Sequence, residues 1–253
     1  IHQNYTHTIF LHYFSLPKFF IFENVTGLLS AKDNNGQRYF DEMCLLFKKI
    51  GYSIEYQVLN ANDHGVLQAR KRIILVGYQG EKSGFYPKLD IWKPKVSVSE
   101  IFNDLPAIRA GQGSVRGCNI KPYKGRWLYE SGIKNENIPV TWHIARPNNS
   151  QDLEIYRKTT ELWVKDKKRL EYNDLPEYLK THNNRNSFVD RFKVVAADLP
   201  AAHTVLAHLS KDGHYYIHPD IKQNRSITPR EAARLQTFPD DYYFEGVTDA
   251  IVP

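Results

Sequence analysis

The sequence predicts an α/β fold, and three observations carry that prediction. Phe19, Phe20, Ile21 and Phe22 form a short apolar run rich in strand-forming residues. Apolar residues at helical spacing precede it and follow it, over 9–16 and 38–49. Two further strand patterns come next, one alternating over 52–60 and one continuous over 73–78. Helix, strand, helix and further strands make a layered sheet-and-helix unit.

Taken in order, residues 9–16 end before Pro17 and read as a helix leading into the first strand. The run at 19–22 suits a strand covered on both faces in a parallel sheet. Glu23 and Asn24 stand at its carboxyl end, where open α/β sheets bind ligands. Burial beside four apolar residues would raise the Glu23 pKa and let a protonated acid donate a hydrogen bond. The plainer alternative is a strand closed by a polar turn. Over 38–49, Phe40, Met43, Cys44 and Phe47 share one stripe, with Gly51 as the stop. Cys44 on that stripe reads as a small buried hydrophobe.

The strand over 52–60 alternates as one with a wetter face should, and Asn62-Asp63-His64-Gly65 connects onward. Gln68, Arg70 and Arg72 then alternate into the apolar run at 73–78. Alternation places three donors on one side, suited to a phosphate or carbonyl oxygen. A solvated edge strand guarded by charge explains them equally well.

From about Lys82 the chain fills with prolines and glycines among aromatic and basic residues, a texture of loops and short strands. Lys121, Lys124, Arg126 and Trp127 interleave with Tyr123 and Tyr129, which can meet phosphates and stack on bases, or simply pack a loop. Residues 150–170 read as a helix with Ser150 as N-cap, acids in its first turn and Lys165, Lys167, Lys168 and Arg169 at its end. The polar segment 183–193, with Arg185 and Arg191, is a second candidate contact surface. The runs 203–209 and 214–218 flank Asp212-Gly213 and predict a hairpin. Its histidines, His203, His208, His214 and His218, have no cysteine or second ligand cluster beside them and read as sheet-surface residues, so no metal site is expected. Thr228, Pro229 and Glu231 make a complete helix start, closed by Pro239.

Composition sets the outer bounds. Of 253 residues, 34 are Lys or Arg and 28 are Asp or Glu; the net charge of +6 makes nucleic acid a plausible partner. Cys44 and Cys118 offer neither a disulfide framework nor metal-ligand spacing, which favours a reducing compartment. No apolar stretch nears the roughly 20 residues a membrane helix needs, so a cytoplasmic protein without membrane partners is expected.

Three stretches together resemble the bacterial DNA (cytosine-5) methyltransferases. Phe22-Glu23-Asn24-Val25 looks like that family's Glu-Asn-Val motif, Gln68 through Arg72 like its Gln-x-Arg-x-Arg motif, and Arg225 through Pro239 like its ninth motif. The resemblance implies part of a Rossmann-like, S-adenosylmethionine-dependent methyltransferase sheet over 1–85. It also implies a smaller, mixed, β-rich target recognition domain, with the ninth-motif helix, over 86–253. It implies methyl transfer from S-adenosylmethionine to carbon 5 of a cytosine flipped out of double-stranded DNA, after a cysteine thiolate adds to carbon 6. Glu23 and Arg72 would be catalytic, Glu23 on ring nitrogen 3 and the exocyclic amine, Arg72 on O2 or a phosphate. Asn24, Gln68 and Arg70 would complete the substrate side, Asn24 chiefly by holding the turn. Lys121, Lys124, Arg126, Arg185 and Arg191 are the candidate DNA contacts.

Departures qualify the match. The family's glycine-rich cofactor motif and Pro-Cys dipeptide belong well before Glu23, yet only 22 residues precede it and none is cysteine. The closing Gly-Asn-x-Val-Pro-Pro motif is absent, and Leu67 stands where the family usually has proline. The expectation is an incomplete S-adenosylmethionine site and no methyl transfer by this chain alone. A companion polypeptide or further sequence would then supply the missing motifs; a non-catalytic DNA-binding module is the alternative.

Overall fold

Strand β1 (Phe19–Val25) leads into a short 3-10 turn, Thr26–Leu29, and helix α1 (Tyr39–Lys49) follows. The computed structural model describes residues 16–135, 139–210 and 213–245. The helix expected over 9–16 lies outside them, Leu16 excepted. Next come β2 (Tyr52–Asn60), the two-residue β3 (Gln68–Ala69) and β4 (Lys71–Gln79). The chain divides into two compact units: the first runs to His64 and resumes over Arg70–Trp92, the second takes Gly65–Ala69 and everything from Lys93.

In the first unit β4 is central, flanked by β1 and β2, and both pairings are antiparallel. The stripe on α1 is as its spacing predicts: Phe40, Met43 and Phe47 are buried with Phe20, Tyr52, Ile73 and Leu75. Asp41 and Glu42 in the first turn and Lys48 and Lys49 in the last complement the helix dipole. Gly51 then takes a left-handed φ of 92° as the chain turns.

The parallel, doubly covered strand expected at 19–22 is not what forms. Successive side chains of an extended strand point to opposite faces, so Phe20 joins the α1 core while Phe19, Ile21 and Val25 are 51, 74 and 52% exposed. Gly77, paired with Phe20 across the strands, lets the Phe20 ring lie against its backbone. That ring is fixed by Phe47 (centroids 4.6 Å apart) and Tyr52 (5.0 Å). Any β-carbon at 77 would occupy the space of the ring. Gly77→Ala is therefore expected to destabilise the first unit by about 1–3 kcal/mol. An unchanged urea midpoint would show that the ring has room to move.

Among its described residues the second unit holds two small sheets. In one, β3 pairs in parallel with β7 (Ala202–His203); in the other, β5 (Gly113–Ser114) pairs antiparallel with β6 (His143–Ile144). Its helices are α2 (Trp127–Glu130), α3 (Ser150–Asp166) and α4 (Pro229–Leu235). Its described residues hold little strand, where a β-rich domain was expected. One core gathers Leu67, Ile101, Trp127, Val195, Tyr216, Ile227 and Leu235; another gathers Ile155, Tyr156, Leu170, Phe192 and Ile217. Leu67, the departure from the proline pattern, is fully buried, and its carbonyl accepts from Ala202 N at 2.9 Å.

Two more expectations are corrected here. The cap of α3 is Asn149, whose Oδ1 accepts from Asp152 N at 2.7 Å, and the helix stops at Lys167 in a left-handed turn. The hairpin over 203–218 does not form among the described residues, and 211–212 lie outside them. Ala202 and His203 pair with β3, Ala207–Ser210 is a 3-10 turn, and Ile217 bridges Val194 and Ser226. Leu67, Ala202, Tyr216 and Ile227 share one core, so burial selects partners from distant segments over the local turn.

Candidate functional site

Glu23 stands near the end of β1, and Arg72 starts into β4 beside it. The register pairs Val25 with Arg72 and Glu23 with Ile74, so Glu23 and Arg72 are diagonal neighbours on one face. Arg72 Nε lies 2.8 Å from Glu23 Oε1. The guanidinium is further held by Nη1 donating to Lys71 O at 2.8 Å. Arg70 sits within reach of both charges: burial and Arg72 push its guanidinium below its ordinary value, and Glu23 pulls it back. Asn24 Oδ1 accepts from Val25 N at 2.8 Å at the strand end.

The enclosure expected for Glu23 is absent among the described residues. Half of its side chain is exposed, because it lies on the face opposite the α1 core with Ile21 and Val25. The dyad is thus an open carboxylate with an adjoining, largely buried guanidinium.

Gln68 does not join Arg70 and Arg72 as a third donor. Its side chain is buried in the second unit, where Oε1 accepts from Val205 N at 2.9 Å. Thr204 Oγ1 donates to Ala69 O at 2.7 Å beside it. Sequence alternation assumed one continuous strand through 68–72, whereas the chain changes units between Ala69 and Arg70.

Among the candidate DNA contacts, Lys121, Lys124 and Arg126 are exposed. The neighbouring rings are mostly committed elsewhere: Trp127 is buried, and the Tyr123 hydroxyl bonds Glu100. Tyr129 remains exposed. Arg185 is half exposed and pairs with Glu177 at 3.0 Å. Arg191 contradicts its assignment. It is buried over the Tyr172 ring at 4.5 Å, with Nε donating to Phe188 O and Nη2 to Ser187 O. An arginine so engaged shapes a loop and does not reach a phosphate.

Neither cysteine is poised as a nucleophile. Burial and Asp41 push the Cys44 thiol up to about 11, and burial raises that of Cys118.

Sequence reasoning missed a buried ionic network around α4. Thr228 caps the helix as predicted, with Oγ1 accepting from Glu231 N at 3.2 Å and Glu231 Oε2 accepting from Thr228 N at 2.7 Å. Arg225 grips Glu231 in two parallel bonds of 2.8 and 2.7 Å. Burial pushes the Glu231 carboxyl up, but the Arg225 charge and hydrogen bonds hold it well below the usual range. Arg234 bridges Asp240, at 2.8 and 2.6 Å, and Asp104, which also meets Lys134. Arg230 donates to the carbonyls of Thr141, Pro239 and Tyr242. All three arginines are fully buried, and their contacts hold this part of the fold together. The capping box was the legible signal; the carboxylate Asp104 had none.

His203 and His218 are interior, not sheet-surface, while the His208 side chain lies outside the described ones. His203 Nε2–H donates to Tyr215 O, and His218 Nδ1 accepts from Asp220 N at 3.1 Å. Burial pushes both rings down to about 4. An unfolded histidine titrates near 6.5, so between about pH 6.5 and 4 the unfolded chain binds protons that the folded one refuses. Stability is therefore expected to fall as pH drops through that window, by on the order of 3 kcal/mol per histidine at its lower end. Denaturant midpoints at pH 7 and pH 5 check this; equal midpoints would contradict it. No group of three or more candidate metal ligands occurs among the described residues, and no helix there is long and apolar enough to cross a membrane.

Comparison with known proteins supports the family that the resemblance names. The family model for C-5 cytosine-specific DNA methylases matches residues 9–251. The type II methyltransferase M.Bpa9945I of Bacillus paralicheniformis is 41% identical over 246 residues, covering 91% of this chain and 54% of that protein. M.DdeI of Desulfomicrobium norvegicum is 29% identical over 251 residues, covering 94% and 56%. The chain thus spans about half the length of these curated relatives. A solved structure of a prophage-encoded DNA modification methyltransferase from E. coli is similar in fold, with a TM-score of 0.57 at 22% identity, over 94% of this chain and 64% of that one.

Proposed function

Because this chain belongs to the C-5 cytosine-specific DNA methylase family, we propose that it carries the base-holding acid and the DNA-recognition part of a DNA (cytosine-5) methyltransferase. Type II restriction-modification relatives at 41 and 29% identity support a modification enzyme of that kind. The observation that carries the reading is the Glu23–Arg72 pair at 2.8 Å, built from two motifs that are about fifty residues apart in sequence. A carboxylate beside a guanidinium offers an acceptor next to donors. Cytosine presents the complementary edge, an amine that donates and a carbonyl oxygen that accepts. Glu23 receives the exocyclic amine and meets ring nitrogen 3; Arg72 faces O2 or the adjoining phosphate. Drawing electrons toward that edge favours addition of a nucleophile to the ring. Arg70 adds positive charge, and Asn24 keeps the strand end in place.

The family uses S-adenosylmethionine. Around Glu23 the described residues form an open surface, with Ile21 and Val25 exposed on either side, and do not enclose a cofactor. The nucleophile and the remainder of the cofactor site come from sequence beyond these residues or from a companion chain. We assign catalytic-domain character to the first unit and target recognition to the second, on the motifs each contains.

Double-stranded DNA is the proposed substrate, met in the second unit by Lys121, Lys124 and Arg126, with Arg185 as a further candidate. Replacing the first three with glutamine is expected to weaken duplex binding without altering the fold. It should also reduce the slope of log affinity against log salt by about 0.9 for each phosphate that is no longer neutralised. An unchanged slope would remove this patch from the interface. Structured RNA as competitor at the same salt separates this reading from an RNA-modifying one.

A further inference from the structure

We propose that a ring-lined cavity in the second unit is a nucleobase-binding pocket, one that takes a base other than the cytosine held at Glu23. This rests on the DNA-modification reading and deepens it. The cavity measures about 460 Å³ and is bounded by Phe188, Arg191, Leu206, His214, Tyr215 and Tyr216. Small-ligand sites commonly span roughly 300–1,000 Å³.

Its walls are held in place before anything binds. The Tyr216 hydroxyl accepts from Leu206 N at 2.7 Å, and its ring stacks on His203 at 5.3 Å. His214 shares a 3.0 Å hydrogen bond with the Tyr156 hydroxyl and packs edge-on to Phe192 at 5.3 Å. A site whose groups are already ordered loses little entropy on binding.

Phe188 is the unusual member. The residue is 70% exposed, and its backbone is left-handed at φ 57°, a conformation costly for a bulky residue. The surrounding loop enforces it: Arg191 donates to Ser187 O and Phe188 O at 3.0 and 2.8 Å. Asn184 Oδ1 accepts from Asn186 N and Ser187 N. A loop closed this firmly presents an aromatic ring at the cavity mouth instead of folding it inward.

The lining selects a chemical class. Rings stack on any planar base. Such a base could come from the duplex or from a free nucleoside.

The test begins with a duplex selected by the chain from a randomised library, rebuilt with 2-aminopurine at each position in turn. Wild type is expected to raise the emission at one position. Phe188→Gly removes the ring while tolerating the left-handed backbone; it should abolish that rise and weaken duplex binding about five- to a hundredfold. Phe188→Tyr should restore both. Titration with free 2-aminopurine riboside forms the second arm: saturable binding lost in Phe188→Gly assigns the pocket to free nucleosides. Bound duplex with no responding position, or a response indifferent to Phe188→Gly, together with no riboside saturation, overturns the pocket while leaving DNA recognition intact. Absence of any duplex binding overturns the DNA reading itself, and the riboside arm then decides the pocket alone.

Discussion

Glu23→Gln, made in an active enzyme carrying this chain, lowers the rate of methyl transfer by about 100-fold or more while DNA affinity stays within a few-fold. The basis is the position of the carboxylate. It lies 2.8 Å from the Arg72 guanidinium, and the pair is diagonal across antiparallel strands, so the strand register holds its geometry. Glutamine keeps the size and one acceptor but loses the charge and the acid-base capacity, which in general acid-base catalysis is worth about 10²–10⁴-fold. Half-exposure means the side chain contributes little to folding, so the variant should keep the wild-type melting temperature. Single-turnover measurement separates chemistry from binding and product release. An unchanged rate under those conditions would remove Glu23 from the mechanism, and a large loss of DNA affinity would recast it as a binding residue. Arg72→Lys is a useful companion: a point charge cannot reproduce the guanidinium's fork of donors, so a partial loss is expected.

Arg234→Ala produces the largest expected loss of stability, about 3–5 kcal/mol. Arg234 is fully buried between Asp104 and Asp240. Burial alone would depress the guanidinium pKa, yet the two carboxylates hold it above its ordinary value. Truncation leaves Asp240 without its principal partner in a dry interior and leaves Asp104 with Lys134 alone. Converted at roughly 2–4 °C per kcal/mol for a chain of this size, the melting temperature falls on the order of 10 °C. A shift of a degree or two would mean that water or a rearranged side chain takes over the carboxylates. Arg234→Lys should fall between the two, because one ammonium cannot span both acids with matched geometry.

These two residues show what a sequence can and cannot announce. Glu23 was conspicuous because an acid directly after four strand-forming apolar residues is locally odd. Its expected burial was nevertheless wrong, because the face that a strand residue occupies depends on which element covers that face. Arg234 was visible only as one basic residue in a well-capped short helix, and its partner Asp104 is 130 positions away. Arg191 misled for the same reason: a polar, basic segment reads as a contact surface until Tyr172 and two carbonyls are seen to occupy its guanidinium. Gln68 likewise belonged to a regular alternation in the sequence, and only the path of the chain separates it from Arg70.

The amino-acid sequence alone determined what short-range physics controls. It specified the α1 stripe, the two strands flanking residues 61–70, the Thr228 capping box and the half-buried Cys44. Tertiary structure decided the antiparallel order with β4 at the centre, the pairing of β3 with β7 in place of a hairpin, and the burial of the arginines around α4. Hydrophobic periodicity and caps act within a few residues, so they can be read along a chain. Strand partners and the neutralisation of buried charges are settled by groups far apart in sequence, brought together only when burial removes water from between them.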